Sequence, residues 1–75
     1  MDVKNAFGTI LKKYRVNLKL SQERFALLCS LDRTYISLLE RGQRCPSLST
    51  ILIIAKNLNV EPVSFFKEVL DLIDD

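Results

Sequence analysis

The chain has 75 residues, of which 48% are hydrophobic and 27% charged, and this balance predicts one globular domain rather than a disordered chain. Its longest uninterrupted apolar run, residues 51–55, is far too short to span a bilayer. With no histidine and only two cysteines, Cys29 and Cys45, neither a disulfide framework nor an all-protein zinc site is expected. No secretion signal is evident, so we expect a cytoplasmic protein. We also expect that it is not an enzyme and that it binds neither metal nor cofactor.

Charged residues are distributed unevenly along the chain. Residues 1–44 contain nine Lys and Arg against four Asp and Glu, whereas residues 45–75 contain two against five. Such an asymmetry suits a protein with one basic surface that binds an anionic partner. The alternative is that these side chains are simply solvated, which is the more common role of charged surfaces.

Apolar residues recur at helical spacing throughout, and no strand-type alternation is present. The first predicted helix ends near Asn17 and carries the apolar stripe Val3, Phe7, Ile10, Leu11 and Tyr14. A second helix, about 22–28, follows the N-cap candidate Ser21 and is expected to bury Phe25 and Leu28. A third, about 33–41, follows the cap candidate Asp32, and Gly42 suits the left-handed position at its end.

Two further helices complete an all-α, five-helix domain. The fourth is predicted over 48–57 after the cap Ser47, with these side chains facing inward: Leu48, Ile51, Leu52, Ala55 and Leu58. The fifth is opened by Glu61-Pro62 and runs from Val63 to about Ile73, since proline is tolerated in the first turn of a helix. All of residues 1–75 are therefore assigned to one domain.

The second and third helices are separated by only four residues, 29–32, and are too short to bury a full face each. They must cross closely, which favours a small residue, Ala26, where the axes meet, with Leu31, Ile36 and Leu39 pointing inward. The remaining side chains of the third helix then face outward together: Arg33, Thr34, Ser37 and Leu38. A helix of this width fits the major groove of DNA, where side chains near its N-terminus reach base edges.

At these residues the chain resembles a known family. The segment LSQERFALLCSLDRTYISLLERGQRCPSL is similar to the helix-turn-helix of Cro/C1-type (XRE) regulators, and the similarity continues into FGTILKKYR before it and ILIIAKNLNVEPVSFF after it. The LDRTYIS and ERGQR segments most resemble controller proteins of restriction–modification systems. The resemblance implies a lambda-repressor-like fold, a helix-turn-helix at about 21–41, and a transcriptional regulator that binds double-stranded DNA. Many members have glycine where this chain has Ser30; a positive φ there would cost roughly 1 kcal/mol.

The resemblance also implies site residues. Base contacts are expected from Arg33, whose guanidinium can grip guanine with two donors, and from Thr34, Ser37 and Leu38. Contacts to the DNA backbone are expected from Gln22, Tyr35, Arg41, Gln43 and Arg44. Some of these side chains have simpler interpretations. Arg33 could be merely solvated, and the ring of Tyr35 could be half buried in the core. Glu40 could bind a base donor, but an ion pair with a nearby arginine is favoured.

The fifth helix carries more apolar residues than a single stripe needs, which suggests a two-fold symmetric dimer interface within about 62–73. The predicted interface residues are Phe65, Phe66, Val69, Leu72 and Ile73. A dimer would place two third helices about 34 Å apart, one turn of B-DNA, and predicts a palindromic operator. The simpler alternative is that Phe65 or Leu72 is an isolated exposed apolar side chain.

Several further interpretations remain open at this point. A phage-type repressor shares much of the sequence pattern, and an antitoxin-like module of the same fold would bind a protein instead of DNA. RNA polymerase is a candidate partner for activation, with Glu40 and its neighbours as candidate contact residues. Cys29 is expected to fill a small buried slot and Cys45 to lie in a loop, with a redox role for either thiol as the less favoured alternative.

Overall fold

The structure, a computed structural model, describes residues 1–74 and consists of five α-helices over that range. They are α1 (Val3–Asn17), α2 (Gln22–Cys29), α3 (Arg33–Glu40), α4 (Leu48–Asn57) and α5 (Pro62–Ile73). The predicted all-α fold is confirmed, and the predicted ends of α2 and α3 each differ from the structure by one residue. Within residues 1–74 no helix is both long enough and apolar enough to cross a membrane.

Side chains at the N-termini explain where four of the helices begin. The hydroxyl of Ser21 accepts from the amide of Arg24 at 3.0 Å, and that of Ser47 accepts from the amide of Thr50 at 3.2 Å. Asp2 and Glu61 cap α1 and α5 in the same way. Asp32 has the extended backbone of an N-cap, but its side chain makes no capping hydrogen bond. The first amides of α3 therefore lack a side-chain acceptor within the described residues.

The C-termini of α1 to α4 all close with the same hydrogen-bonded turn. A residue with φ between 57° and 72° donates its amide three residues back, and the next residue donates five residues back, the Schellman arrangement. The four left-handed residues are Lys19, Ser30, Gly42 and Asn59. Ser30 has a φ of 57°, so it adopts the left-handed conformation for which many family members have glycine. For serine this conformation costs roughly 1 kcal/mol.

The core lies where α1 packs between α3 and α5, and α2 and α4 close its other side. Its largest fully buried side chains are Leu11, Phe25, Ile36, Leu39, Ile54, Phe65 and Val69. The ring of Phe65 meets that of Phe7 edge to face, with centroids 5.6 Å apart, which is a favoured geometry for aromatic pairs. This packing ties α5 to α1.

Polar contacts reinforce the same helix pair. The ammonium of Lys13 lies 2.9 Å from a carboxylate oxygen of Glu68, and the hydroxyl of Tyr14 donates to the other oxygen. These hydrogen bonds stabilise the charged carboxylate, so they lower the pKa of Glu68, and the bond to Glu68 raises the pKa of the Tyr14 hydroxyl. The aromatic contact of Phe65 and the polar contacts of Glu68 thus both hold α5 against α1.

For four side chains, the assignment to the core that the helical spacing predicts is wrong. Val3, Leu28 and Leu52 are about half exposed, and Leu48 is 74% exposed. Ala55 and Leu58 are buried as predicted, and Ile54 is buried in addition, because α4 meets α2 and α5 along a different line from the one its apolar spacing suggested. Both sides of α4 are apolar, so periodicity could not identify which side the core would use.

Candidate DNA-binding surface

The close crossing of α2 and α3 has the small residue that it was predicted to need. Ala26 is 2% exposed on α2, and Ile36 and Leu39 are fully buried on α3. Leu31, in the turn, packs against the same cluster. The side chains that hold the helix-turn-helix together are therefore those predicted from the sequence.

Beyond this crossing, α3 presents one face away from the core. Arg33 and Thr34 are exposed on it, whereas Ser37 and Leu38 are partly buried one turn later. The exposure decreases along the helix, so its N-terminal turn protrudes most. This is also the end whose first amides have no side-chain acceptor, because Asp32 does not use its carboxylate as a cap. An exposed arginine and free backbone donors thus lie together at the tip of α3.

The predicted backbone-contacting residues lie beside this face. The ring of Tyr35 is partly buried against the core, and the guanidinium of Arg44 lies over it at 5.4 Å from the ring centroid. Arg41 and Gln43 are exposed at the end of α3, and the Arg41 side chain donates to the carbonyl of Ser37 at 3.4 Å. These residues form a polar rim with two arginines along one edge of α3.

A buried ion pair lies behind the rim. The Arg15 Nε atom lies 2.6 Å from Glu40 Oε2 and its Nη2 atom 3.0 Å from Oε1, while Nη1 donates to the carbonyl of Leu20 at 2.6 Å. The side chain of Arg15 is 10% exposed and that of Glu40 3%. The predicted pairing of Glu40 with an arginine is confirmed. Glu40 is consequently not available as a surface residue for RNA polymerase, so that suggestion is wrong.

Arg15 is not identifiable as the partner from the apolar pattern, because it lies off the apolar stripe of α1 among other basic residues. A usable signal is present in the spacing. Gly8 and Arg15 are seven residues apart, so they share a face of α1 that borders the stripe at Leu11. That face meets the end of α3.

Gln22, the first residue of α2, joins this pair. Its side-chain Nε2 donates to Glu40 Oε1 at 3.0 Å, and the residue is partly exposed. The predicted contact of Gln22 with phosphate is compatible with this position, because the amide retains a second N–H. Nothing in the sequence pattern indicates the bond to Glu40.

An apolar groove lies between α4 and α5, away from the α3 face. It encloses about 390 Å³ and is lined by Leu48, Ile51, Leu52, Pro62, Val63, Phe66, Lys67 and Leu70. Val63 is 73% exposed, and Phe66 and Leu70 are nearly half exposed. A surface of this kind on so small a domain is unusual unless it binds a partner.

The residues predicted for a dimer interface are only partly on this surface. Phe66 lies on it, but Phe65 is 0% exposed and Val69 1%, so neither has surface to offer a second chain, and these two assignments are wrong. Both side chains fill the core against α1. Leu72 and Ile73 are partly buried and pack against the core cluster.

The two cysteines lie where they were expected. Cys29 is buried at the end of α2 and Cys45 is exposed in the loop before α4. Burial raises the pKa of the Cys29 thiol to about 11, because the thiolate would be poorly solvated. At neutral pH Cys29 is a neutral packing residue, which is the structural role predicted for it.

Comparison with known proteins agrees with this geometry. A family model described as helix-turn-helix matches residues 11–65. The chain is 44% identical to control protein C.SmaI of Serratia marcescens over 59 residues, which are 79% of this chain and 70% of that protein. It is 41% identical to control protein C.BamHI of Bacillus amyloliquefaciens over 71 residues, 93% of this chain and 83% of that protein.

Solved structures extend the similarity to the fold. The restriction–modification controller protein C.Esp1396I superposes with a TM-score of 0.88 at 32% identity, covering 100% of this chain and 99% of that one. The two-helix crossing and its exposed third helix are thus those of a helix-turn-helix domain of the XRE type. The chain belongs to the helix-turn-helix family, and within it to the group of restriction–modification controller proteins.

Proposed function

We propose that the protein is a transcriptional regulator of a restriction–modification system that binds double-stranded DNA in a sequence-specific manner through α3. The observation that carries this proposal is the protruding tip of α3, where exposed Arg33 and Thr34 adjoin backbone amides without a side-chain cap. A relative of the same fold, C.Esp1396I, has been solved as a tetramer in complex with its natural 35 base-pair operator.

The tip has the chemistry that the major groove requires. The two parallel donors of the Arg33 guanidinium match O6 and N7 of guanine, and the methyl of Thr34 suits the methyl of thymine. Ser37 and Leu38 lie one turn further along the same face and would contact adjacent base edges. Arg41 and Gln43 on the rim supply donors for phosphate, and Arg44 is held over the Tyr35 ring for the same purpose.

Replacing Arg33 with alanine is expected to weaken binding to the operator by about 10- to 100-fold per subunit, since a good bidentate base contact contributes about 1–3 kcal/mol of discrimination. Binding to a random duplex should weaken much less. Fluorescence anisotropy with a duplex selected from a random pool, and with an unselected duplex of equal length, measures both effects. Equal losses on the two duplexes would show that Arg33 only contacts phosphate.

Arg24 provides a matched control for this substitution. It is an exposed arginine on α2, outside the α3 face and the rim, and Arg24→Ala should leave the preference for the selected duplex unchanged. Binding of the unmodified protein should also weaken steeply between low and moderate salt, because phosphate contacts release counterions. Binding that ignores salt would favour the alternative, a module that binds another protein.

We further propose that two chains associate through the groove between α4 and α5. The groove is almost entirely apolar and belongs to a 75-residue domain, which gains stability when further apolar surface is buried. Because the groove lies on helices other than α2 and α3, a second copy would leave both α3 helices free. A two-fold dimer of this type would read a palindromic operator with half-sites about 34 Å apart.

Replacing Phe66 with glutamate is expected to convert a dimer into a monomer, since it would bury a charge in an apolar interface. The fold should persist, because Phe66 is already 44% exposed in the single chain. Sedimentation equilibrium measures the change in mass. Leu27→Glu is the control, as Leu27 on α2 is 69% exposed and lies outside the groove. A dimer that survives Phe66→Glu, or an unmodified protein that is monomeric at high concentration, would contradict the proposal.

A further inference from the structure

The side chain of Gln22 is held in one orientation by a buried carboxylate. Its Nε2 atom donates to Glu40 Oε1 at 3.0 Å, and the carboxylate side chain is 3% exposed. A carbonyl oxygen in this place would be repelled by Glu40, so the amide nitrogen must face inward. Among the described residues this is the one hydrogen bond of the Gln22 side chain, which leaves its second N–H for another acceptor.

The carboxylate is itself fixed and neutralised. Arg15 binds both of its oxygens through Nε and Nη2, and its Nη1 donates to the carbonyl of Leu20. Glu40 therefore cannot rotate without breaking several charge-assisted hydrogen bonds. Because Arg15 cancels its charge, Glu40 adds no net repulsion towards an anion that approaches α2.

Gln22 lies at the N-terminus of α2, where an oriented donor can contact phosphate. It is the first residue of α2, directly after the cap Ser21, so it belongs to the turn at the positive end of the helix. A phosphate oxygen at this point would meet the side-chain N–H and the helix N-terminus together. A flexible glutamine would lose rotamer freedom on making that contact, and one already fixed by Glu40 would not.

We propose that Glu40 is a positioning residue for DNA binding: paired with Arg15, it orients the amide of Gln22 so that the second N–H donates to a backbone phosphate. This inference rests on the proposed function, and it assigns to Glu40 a role that acts through Gln22 rather than by touching DNA. The contact is to phosphate, so it contributes affinity without sequence preference.

A double-mutant cycle tests the proposal. The variants are Gln22→Met, which keeps the length of the side chain and removes its donors, Glu40→Gln, and the two combined. Dissociation constants are measured on the selected and unselected duplexes, at a temperature where circular dichroism shows every variant folded. Gln22→Met should weaken binding about tenfold per subunit on both duplexes, the effect expected for loss of one hydrogen bond to a charged group.

The combination is the informative variant. Glu40→Gln should weaken binding several-fold when Gln22 is present and less than twofold when residue 22 is already methionine. The same loss in both backgrounds would show that Glu40 acts only through the stability of the fold and would overturn the proposal. Unchanged binding by Gln22→Met would also overturn it. The salt dependence should stay the same for Gln22→Met, since Gln22 is neutral.

Two further measurements cover the case in which Glu40→Gln does not fold. Glu40→Asp keeps the charge but shortens the side chain, so it can replace Glu40→Gln in the cycle. In the unmodified protein, one side-chain NH₂ proton of Gln22, the one bonded to Glu40, should be protected from exchange, and the other should shift when duplex is added. NH₂ protons that are both unprotected and do not respond to DNA would contradict the proposal. Failure of the unmodified protein to bind any duplex would instead refute the proposed function.

Discussion

Arg15→Met is expected to lower the free energy of unfolding by about 3–5 kcal/mol, since removing one partner of a buried ion pair leaves the other charge uncompensated. The carboxylate of Glu40 would remain 97% enclosed with only Gln22 as a donor. A domain of 75 residues has a total stability of a few kcal/mol to about 10 kcal/mol, so this variant should be substantially destabilised and could be largely unfolded at 37 °C.

Urea denaturation followed by circular dichroism measures this effect. Two further variants serve as a control and as a rescue. Lys13→Met removes the exposed ion pair with Glu68 on the same helix and should cost no more than about 1 kcal/mol. Arg15→Met combined with Glu40→Leu removes both buried charges and should recover much of the loss. If Arg15→Met lowers the free energy of unfolding no more than Lys13→Met does, the ion pair of Arg15 and Glu40 does not behave as a buried one.

Gly8→Ala is expected to destabilise the protein by about 3 kcal/mol, near the upper end of the usual cost of overpacking. A Cβ atom on Gly8 would lie 2.4 Å from the carbonyl oxygen of Leu39 and 2.7 Å from that of Glu40. Both are backbone atoms at the end of α3, so they cannot move aside as a side chain would. The whole of α3 would have to shift away from α1, and the ion pair of Arg15 and Glu40 with it.

The sign of this effect is diagnostic, because alanine at an open helical glycine stabilises a protein by about 1 kcal/mol. Thermal unfolding of Gly8→Ala should therefore show a large decrease in Tm, opposite to the propensity rule. Thr9→Ala, at the exposed neighbouring position, should change stability by less than about 0.5 kcal/mol. An increase in Tm for Gly8→Ala would mean that α1 and α3 are further apart than described.

The fold could be predicted from the sequence because its boundaries are encoded locally. Ser21 and Ser47 are cap residues that function as such, and Gly42 ends α3 with a positive φ as glycine allows. The errors occurred where local patterns are ambiguous. Leu48 and Leu52 are apolar and helically spaced, yet they line a groove on the surface. The spacing of apolar residues cannot distinguish a face that packs in the core from one that remains on the surface of the chain.

The candidate site was predicted in part for a similar reason. Arg33 and Thr34 are exposed on α3 as expected, since two short helices that share a small core leave the outer positions free. The bond between Gln22 and Glu40 is not predictable from the sequence, because it joins residues 18 positions apart that meet only when α2 packs against α3. Contacts of this kind depend on helix packing, which spacing along one helix does not determine.

The left-handed turn at the ends of α1 to α4 restricts which amino acids can occupy its left-handed residue in each case. Lys19, Ser30 and Asn59 have open left-handed backbones, so glycine, asparagine and other unbranched residues fit there at modest cost, and β-branched residues do not. Gly42 is more restricted. A Cβ there would meet the side chain of Asn5 and lie 3.2 Å from its Cα, so a substitution would require Asn5 to move in addition to straining the left-handed backbone. One backbone geometry thus permits variation at three helix ends and favours glycine more strongly at the fourth, beside the surface assigned to DNA.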